Sequence, residues 1–277
     1  MISEQLTEKT SITPSLIQTF DRDIEEEITE YWNRRAEGFG KTRLAELSGP
    51  VKSRWMHEIA SAVLGTLHPL RILDVGTGTG FFPIITAPLG HQVTGIDLSP
   101  EMIAEAKAAA AHFDVNAEFR VMNAQALDFE DETFDLILTR NLTWTLPDAR
   151  TAYSEWFRVL KKGGRLINFD ADYGSVSFES LTHDLKDQGV ENAHKGLSDN
   201  SLAECDRIKD SLGISAERRP DWDFQVLTEI GFERVSLDNS LSDRIYLECD
   251  ETFNPVRMFR IDAVKAAPSA AVSRKFM

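Results

Sequence analysis

Between residues 71 and 172 the chain alternates short apolar segments with helical ones, and this alternation restricts the fold more than any other feature. Helices are predicted at 99–113, where Ser99 and Pro100 suit the first positions, and at 149–160. Strands joined by helices form right-handed crossovers, which indicates an α/β fold with a doubly wound, mostly parallel sheet. The predicted strands lie at 71–75, 91–98, 117–123, 134–140 and 165–172.

The segments outside this alternation predict helical additions and an antiparallel end to the sheet. N-terminal helices are predicted at 21–37, ending at the glycines of "GFG", and at 50–66. The polar segment 176–220 breaks the alternation, and we interpret it as an inserted helical cap. The predicted C-terminal elements are a helix at 221–232 and antiparallel strands at 233–240 and 243–250, which brings the sheet to seven strands.

These elements divide the chain into five predicted parts. The last part is Ala-rich and basic, which favours a loosely held terminus. The parts are a helical lid at 1–45, a core at 46–175, the cap at 176–220, a C-terminal helix with antiparallel strands at 221–262, and a flexible tail at 263–277.

Composition narrows the classes of partner. The net charge of −15 disfavours nucleic acid and anionic membrane surfaces, because both carry negative charge. The two cysteines, Cys205 and Cys249, form no CxxC motif or Cys/His cluster, so no metal is expected and the thiols suit a reducing compartment. The sequence shows neither a signal peptide nor an apolar run long enough to span a bilayer. We therefore predict a cytoplasmic protein, a monomer or homodimer, that acts on a small molecule.

The segment "ILDVGTGTGFF" predicts a nucleotide-binding turn. A strand ends at Asp74, and Gly76, Gly78 and Gly80 follow at alternate positions before a helix begins. Glycines there let a ligand lie against the backbone, and the helix offers free N–H groups. The second strand ends in Asp97, twenty-one residues after Gly76, where a carboxylate can accept both ribose hydroxyls. The spacing G-x-G-x-G differs from the dinucleotide pattern G-x-G-x-x-G, which disfavours an NAD-dependent oxidoreductase.

Four segments in order, "LDVGTGTG", "GIDLSPEMI", "VMNAQAL" and "FDLILTRN", resemble the motifs of class I S-adenosylmethionine (SAM) dependent methyltransferases. "RVLKKGGRLI" is similar to the stretch before their fifth strand, and the resemblance covers about residues 45–175. It implies a Rossmann-like fold and SAM as the cofactor.

The resemblance also implies roles for single residues. Gly76 and Gly78 would pass beneath the methionine part of SAM, with Asp74 directed towards its amino group and Asp97 on the ribose. Many relatives carry Asp where Asn123 stands, and an amide still offers an acceptor for adenine. The rest of the implied cofactor site comprises Thr77, Gly80, Leu98, Met102, Asn123, Ala124, Gln125, Arg140 and Asn141. Core packing is the alternative role for Leu98 and Met102.

The segment "EYWNRRAEGFGKTR" (30–43) resembles the N-terminal segment with which the family closes its site. Tyr31, Trp32 and Phe39 would cover the sulfonium, because aromatic faces attract cations. Arg34 and Arg35 would bind a carboxylate, either that of SAM or that of an acceptor. The alternative is an amphipathic helix that packs its aromatic side chains on the core and leaves its arginines in water.

Candidate catalytic residues come from strand ends and from this lid. They are Asn141, Tyr173, Tyr31 and Trp144. The fourth segment continues as "RNLTWTLPD", which departs from the Asn/Asp-Pro-Pro-aromatic pattern of amino-methylating relatives. This departure disfavours DNA bases and glutamine as acceptors. The cap histidines His183 and His194 are weaker candidates for a base, and the other four histidines are expected to be structural.

Three functions remain open at this point. Methyl transfer to a small metabolite is favoured, since it mainly requires positioning and exclusion of water. Alternatively, the amino group of SAM attacks its own γ-carbon, giving azetidine-2-carboxylate and methylthioadenosine, as proposed for similar proteins called azetidine-2-carboxylate synthases. A non-catalytic SAM-binding module is the third. Asn141 and Trp144 would be the residues that decide between methylation of an acceptor and cleavage of the cofactor itself.

Overall fold

The computed structural model describes residues 14–190, 197–250 and 252–267, with the side chains of residues 14–22 left aside. Its central element is a seven-stranded sheet in the order β3-β2-β1-β4-β5-β7-β6. Strands β1 to β5 are parallel, and β7 runs antiparallel to both of its neighbours. The strands are β1 (Arg71–Val75), β2 (Gln92–Asp97), β3 (Glu118–Val121), β4 (Phe134–Arg140), β5 (Leu160–Ala171), β6 (Phe232–Asp238) and β7 (Met258–Lys265). The predicted α/β fold class is confirmed.

Nine α-helices lie within the described residues. They are α1 (Pro14–Ser48), α2 (Val51–Val63), α3 (Phe81–Thr86), α4 (Pro100–His112), α5 (Ala149–Val159), α6 (Phe178–Asp187), α7 (Asp199–Ser211), α8 (Asp221–Ile230) and α9 (Leu241–Ile245). The Ser99 hydroxyl caps α4 by accepting a hydrogen bond from the Met102 N–H at 3.1 Å, as the sequence predicts. None of the helices described combines the length and hydrophobicity needed to cross a membrane.

The predicted end of the first helix at "GFG" is wrong, because α1 continues through both glycines to Ser48. A glycine within a helix costs about 1 kcal/mol relative to alanine, which tertiary packing can offset. Gly40 is buried against α4, where an added Cβ would lie 2.8 Å from the Glu105 side chain. The glycine therefore packs against the Glu105 side chain of α4 and does not end the helix.

The prediction for the last strand is also wrong. Residues 243–250 contain the end of α9 and a turn, and the partner of β6 is β7, which reaches into the predicted tail. Side chains of β7 alternate between buried and half-buried for most of its length, and the Lys265 ammonium donates to the carbonyls of Phe157 and Leu160 at 2.8 Å. Residues 268–277 of the predicted tail lie outside the described residues. The five predicted parts of the chain stay a prediction.

The "KKGG" segment, which directly follows the helix predicted at 149–160, belongs to β5. α5 ends at Val159 and β5 begins at Leu160, with a register shift opposite Phe134 and Leu136. Strand β4 and the second half of β5, residues 166–171, are almost fully buried, as expected for a sheet covered on both faces. Their carboxyl ends meet those of β1 and β2 at one edge, the position where open α/β sheets bind ligands.

Candidate functional site

The main candidate binding cavity lies at the carboxyl ends of β1, β2 and β4, under α1. It measures about 720 Å³ when the open solvent at its mouth is included. Nine of the residues assigned to the cofactor by resemblance line this main cavity, namely Gly76, Gly78, Asp97, Leu98, Met102, Asn123, Ala124, Gln125 and Asn141. Their assignment to individual parts of the cofactor stays a prediction.

The glycine turn after β1 forms the floor of the main cavity. Gly76 and Gly78 both have left-handed backbone conformations, with φ of 66° and 52°. A Cβ on Gly76 would lie 2.7 Å from the Leu142 side chain, and one on Gly78 would lie 3.3 Å from the Phe39 ring. A larger residue at either position would be strained and would narrow the cavity.

Asp97 ends β2 with its carboxylate at the cavity wall. One oxygen accepts a hydrogen bond from the Gly78 N–H at 2.9 Å, and the other accepts from the Ser99 N–H at 3.0 Å. Burial raises the pKa of Asp97, and the backbone donors act in the opposite direction. The carboxylate is thus fixed by two backbone contacts and retains acceptor capacity for a pair of hydroxyl groups.

Four residues of the predicted cofactor site do not line the main cavity: Asp74, Thr77, Gly80 and Arg140. Asp74 is buried behind the glycine turn, and its carboxylate accepts a hydrogen bond from the Thr77 hydroxyl at 2.6 Å. Burial raises the pKa of Asp74 to about 7, while the Thr77 hydroxyl and the Arg140 charge lower it. Asp74 would therefore act on a bound cation through its charge, without direct contact in this conformation.

We expect the affinity for SAM, which carries an ammonium and a sulfonium, to fall as the pH is lowered through about 7. A cation favours the ionised carboxylate, so protonation of Asp74 would weaken binding, by up to about tenfold. Calorimetry about one pH unit above and below 7 would measure this change. Asp74→Asn, which keeps a group for Thr77 to bond, should remove most of the dependence. If the affinity of that variant for SAM kept the same pH dependence, a group other than Asp74 would cause it, and Asp97 is the nearest such carboxylate.

The Arg140 side chain does not reach the main cavity and is held by other contacts. Its guanidinium donates to the buried Glu46 carboxylate at 3.1 Å and stacks 4.3 Å over the Phe81 ring. Arg43 pairs with the same carboxylate, so two guanidiniums share one acid. Burial and the neighbouring Arg43 lower the pKa of Arg140, which nevertheless stays protonated because a guanidinium loses its proton only at very high pH.

A second cavity, of about 550 Å³ with its open solvent, adjoins the main one. The two share Trp32, Phe39 and Asn141 in their walls. All four candidate catalytic residues line this second cavity: Tyr31, Asn141, Trp144 and Tyr173. Its walls are largely aromatic, and the Trp144 and Tyr173 ring centroids lie 4.7 Å apart.

Asn141 is held in place from several directions. It has a left-handed φ of 56°, and its side-chain oxygen accepts a hydrogen bond from the Tyr173 hydroxyl at 3.0 Å. That hydroxyl in turn accepts from the Asn254 amide at 2.8 Å, and the Trp144 indole donates to the Asn141 carbonyl at 3.0 Å. Burial raises the pKa of Tyr173, so its phenol stays protonated and serves to position Asn141.

The lid helix α1 combines the two roles that the sequence left open. Trp32 packs on Phe39 at 5.9 Å and on Trp144 at 6.4 Å, so the aromatic residues both pack and cover the cavities. Arg34 and Arg35 of this helix lie in different surroundings. Arg34 is exposed and pairs with Glu204 of α7 at 2.6 Å, whereas Arg35 lines the second cavity.

Sequence reasoning missed Glu25, a residue of the lid that reaches the main cavity. Its carboxylate accepts hydrogen bonds from the side-chain amides of Asn123 at 2.8 Å and Gln125 at 2.7 Å. In the sequence it is one of several acids in a predicted helix, with no signal that separates it from its neighbours. Asn254 was missed for the same reason.

The histidines lie away from both cavities where they are described. His91 bridges two backbone groups, accepting from the Leu70 N–H at 3.2 Å and contacting the Val63 carbonyl at 2.7 Å, which is a structural role. The His183 side chain, which is exposed, faces Asp199 at 3.4 Å. His194 lies outside the described residues.

The sheet order, the glycine turn after β1 and the acid at the end of β2 define an α/β nucleotide-binding fold of the methyltransferase type. Residues 73–168 match the family model described as a methyltransferase domain. They therefore form a class I SAM-dependent methyltransferase domain, and SAM is the cofactor of that family.

Comparison with other proteins agrees with this family. The chain is 38% identical over 115 residues to a phosphatidylethanolamine N-methyltransferase of Cereibacter sphaeroides, covering 39% of this chain and 55% of the relative. It is 36% identical over 141 residues to a demethylmenaquinone methyltransferase of Tropheryma whipplei, covering 51% and 57%. The chain thus spans little more than half the length of these curated relatives.

A solved structure with the same fold contains the demethylated cofactor. Phosphoethanolamine N-methyltransferase 2 of Haemonchus contortus, in complex with phosphomonomethylethanolamine and S-adenosylhomocysteine, superposes with a TM-score of 0.53 and 18% identity, over 76% of this chain and 52% of that one. At this identity the likeness concerns the fold alone.

Proposed function

We propose that the protein transfers the methyl group of SAM to a small molecule. The observation that carries the proposal is the pair of adjoining cavities with a common wall of Trp32, Phe39 and Asn141. SAM would occupy the main cavity and the acceptor the second, with the methyl group directed across the shared wall. Methyl transfer requires this in-line arrangement of donor and acceptor.

The residues of the main cavity suit SAM. Asp97 presents acceptor oxygens for the ribose, and Gly76 and Gly78 let the ligand lie against the backbone. Glu25 and Asn123 provide polar atoms at the far end, where adenine would lie. When bound, SAM supplies an electrophilic methyl group on a sulfonium, and the aromatic side chains of the shared wall would exclude water and attract that cation.

The second cavity contains no strong base among its described residues. Burial raises the pKa of the Tyr31 and Tyr173 phenols, and it raises the pKa of the Cys205 thiol to about 11. The acceptor would therefore attack with a lone pair that it already has. That pair forms the bond to the methyl carbon as the carbon–sulfur bond breaks, the bonding electrons stay on sulfur, and any surplus proton leaves to solvent. Asn141 would position the reacting groups.

The curated relatives support a small-molecule acceptor, since their names describe methylation of phosphatidylethanolamine and of demethylmenaquinone. The fourth segment, which lacks the Asn/Asp-Pro-Pro-aromatic pattern, supports the same class.

One experiment separates this function from its alternatives. The protein is incubated with SAM bearing a deuterated methyl group, alone and with a cell extract freed of macromolecules, and the products are identified by mass spectrometry. We expect S-adenosylhomocysteine and a deuterated metabolite only with the extract, and neither with Asp97→Ala. Methylthioadenosine from SAM alone would replace the proposal by cyclisation or lysis of the cofactor. SAM binding without turnover in either condition would indicate a non-catalytic module.

A further inference from the structure

The charged side chains of the second cavity are all of one sign. Arg35 and Arg140 line it, whereas no aspartate, glutamate, lysine or histidine does so within residues 14–190, 197–250 and 252–267. The protein as a whole has a net charge of −15, so this local excess of positive charge runs against its average. A cavity lined by one sign of charge in low-dielectric walls concentrates ligands of the opposite sign.

The positive charge of the cavity is only partly neutralised. Arg140 shares the Glu46 carboxylate with Arg43, which leaves a surplus cation behind that wall. The polar partner of Arg35 in the described part of the chain is the Tyr31 hydroxyl, at 2.7 Å. One contact uses a single donor of the five in a guanidinium, and no carboxylate of the described residues lies within ion-pair distance of Arg35.

The remaining walls favour a flat ligand. Tyr173 and Phe178 stack with their planes 29° apart, and Trp144 lies 4.7 Å from one ring and 5.4 Å from the other. The Arg35 guanidinium lies 5.6 Å from the centre of the Tyr31 ring, so the cation borders the aromatic surface. All three rings line the cavity, so a planar guest would contact apolar aromatic surface along its body and a cation at its edge.

We infer that the acceptor is a planar aromatic molecule with an anionic group, and that Arg35 binds this group. The inference rests on the proposed function, because it assigns the acceptor to the second cavity. Arg35 is then the residue that sets substrate charge, while Asn141 and Tyr173 hold the shared wall. Arg34, the neighbouring arginine, faces α7 and has no such role.

The test compares two probes of the same shape on the complex with S-adenosylhomocysteine. These are 2-naphthoate, which is an anion, and 2-naphthamide, which is neutral. Calorimetry should show naphthoate binding at least about tenfold more tightly than the amide, as a charge-assisted contact provides. Arg35→Gln should remove that difference by weakening naphthoate alone. Arg34→Gln is the matched control and should change neither affinity.

Several outcomes would overturn the inference. If the two probes bound equally, the cavity would have no preference for an anion. If the affinity for naphthoate were unchanged in Arg35→Gln, Arg35 would not bind the anionic group. Failure of naphthoate to bind a protein that does bind S-adenosylhomocysteine would remove the anionic acceptor but leave the proposed function intact. Failure of S-adenosylhomocysteine itself to bind would contradict the proposed function. Melting curves of both variants would show that they remain folded.

Discussion

Asp97→Ala is expected to lower the affinity for SAM by at least about a hundredfold, more than any other single substitution in the main cavity. The carboxylate is buried, fixed by the Gly78 and Ser99 N–H groups, and faces the cavity. Each hydrogen bond from a ribose hydroxyl to a charged acceptor contributes about 1.5–3 kcal/mol, and the substitution removes both. It also leaves the two N–H groups without their partner, which loosens the glycine turn.

Isothermal calorimetry with SAM would measure the loss. Asp128→Ala is a suitable control, because Asp128 is exposed on the loop after β3 and should leave the affinity unchanged. Asp97→Asn should give an intermediate loss, since an amide keeps one acceptor oxygen. An Asp97→Ala protein that bound SAM as tightly as the unmodified chain would show that the ribose lies elsewhere.

The parts of the site that the sequence predicted are those fixed by local chemistry. A turn with a positive φ at Gly76 and Gly78 favours glycine, and the acid at the end of β2 can be read directly from the sequence once the strand is recognised. Such requirements are visible in a few consecutive residues. The parallel strands could be predicted for a similar reason, because a short continuous run of β-branched and large apolar residues is typical of a strand that is buried on both faces.

The residues that were missed depend on contacts between distant segments. Glu25 meets Asn123 only because α1 crosses the carboxyl edge of the sheet, and Asn254 meets Tyr173 only because the chain after α9 returns to β5. The same cause explains the wrong end of α1, where packing of Gly40 against α4 outweighs its low helix propensity. Long-range packing of this kind has no signature in a single sequence.

The position of the last strand also depends on contacts between distant segments: β7, and not the predicted strand at 243–250, pairs with the sheet. β7 pairs through its backbone with both β5 and β6 and buries every second side chain from Phe259 to Lys265, whereas the short helix α9 packs Leu241 and Ile245 into the core. Both segments contain β-branched and aromatic residues, so propensity alone does not separate them.

Arg219 anchors a buried ionic cluster at the end of β5. Its guanidinium donates to Asp223 at 2.8 Å and to Asp170 at 3.2 Å, and a further N–H contacts the Thr143 hydroxyl. The Tyr153 hydroxyl donates to Asp223 at 2.6 Å. One cation thus serves two carboxylates, and it joins the segment before α8 to the end of β5 and to the loop after Asn141.

Arg219→Ala is expected to lower the free energy of unfolding by about 3–5 kcal/mol, because it leaves Asp170 and Asp223 buried without a counter-charge. Urea titration would measure this loss. Arg218→Ala is the control, since its side chain is 89% exposed and the substitution should change the free energy of unfolding by less than about 0.5 kcal/mol.

The loss in Arg219→Ala should depend on pH. An unpaired buried carboxylate has a raised pKa: it destabilises the fold at high pH, where it is ionised, and much less at low pH, where it is protonated. The deficit should therefore shrink at low pH, and Asp170→Asn added to Arg219→Ala should restore part of the stability. A deficit that is small, or that grows on acidification, would show that the cluster does not hold the segment before α8 to the sheet through charge.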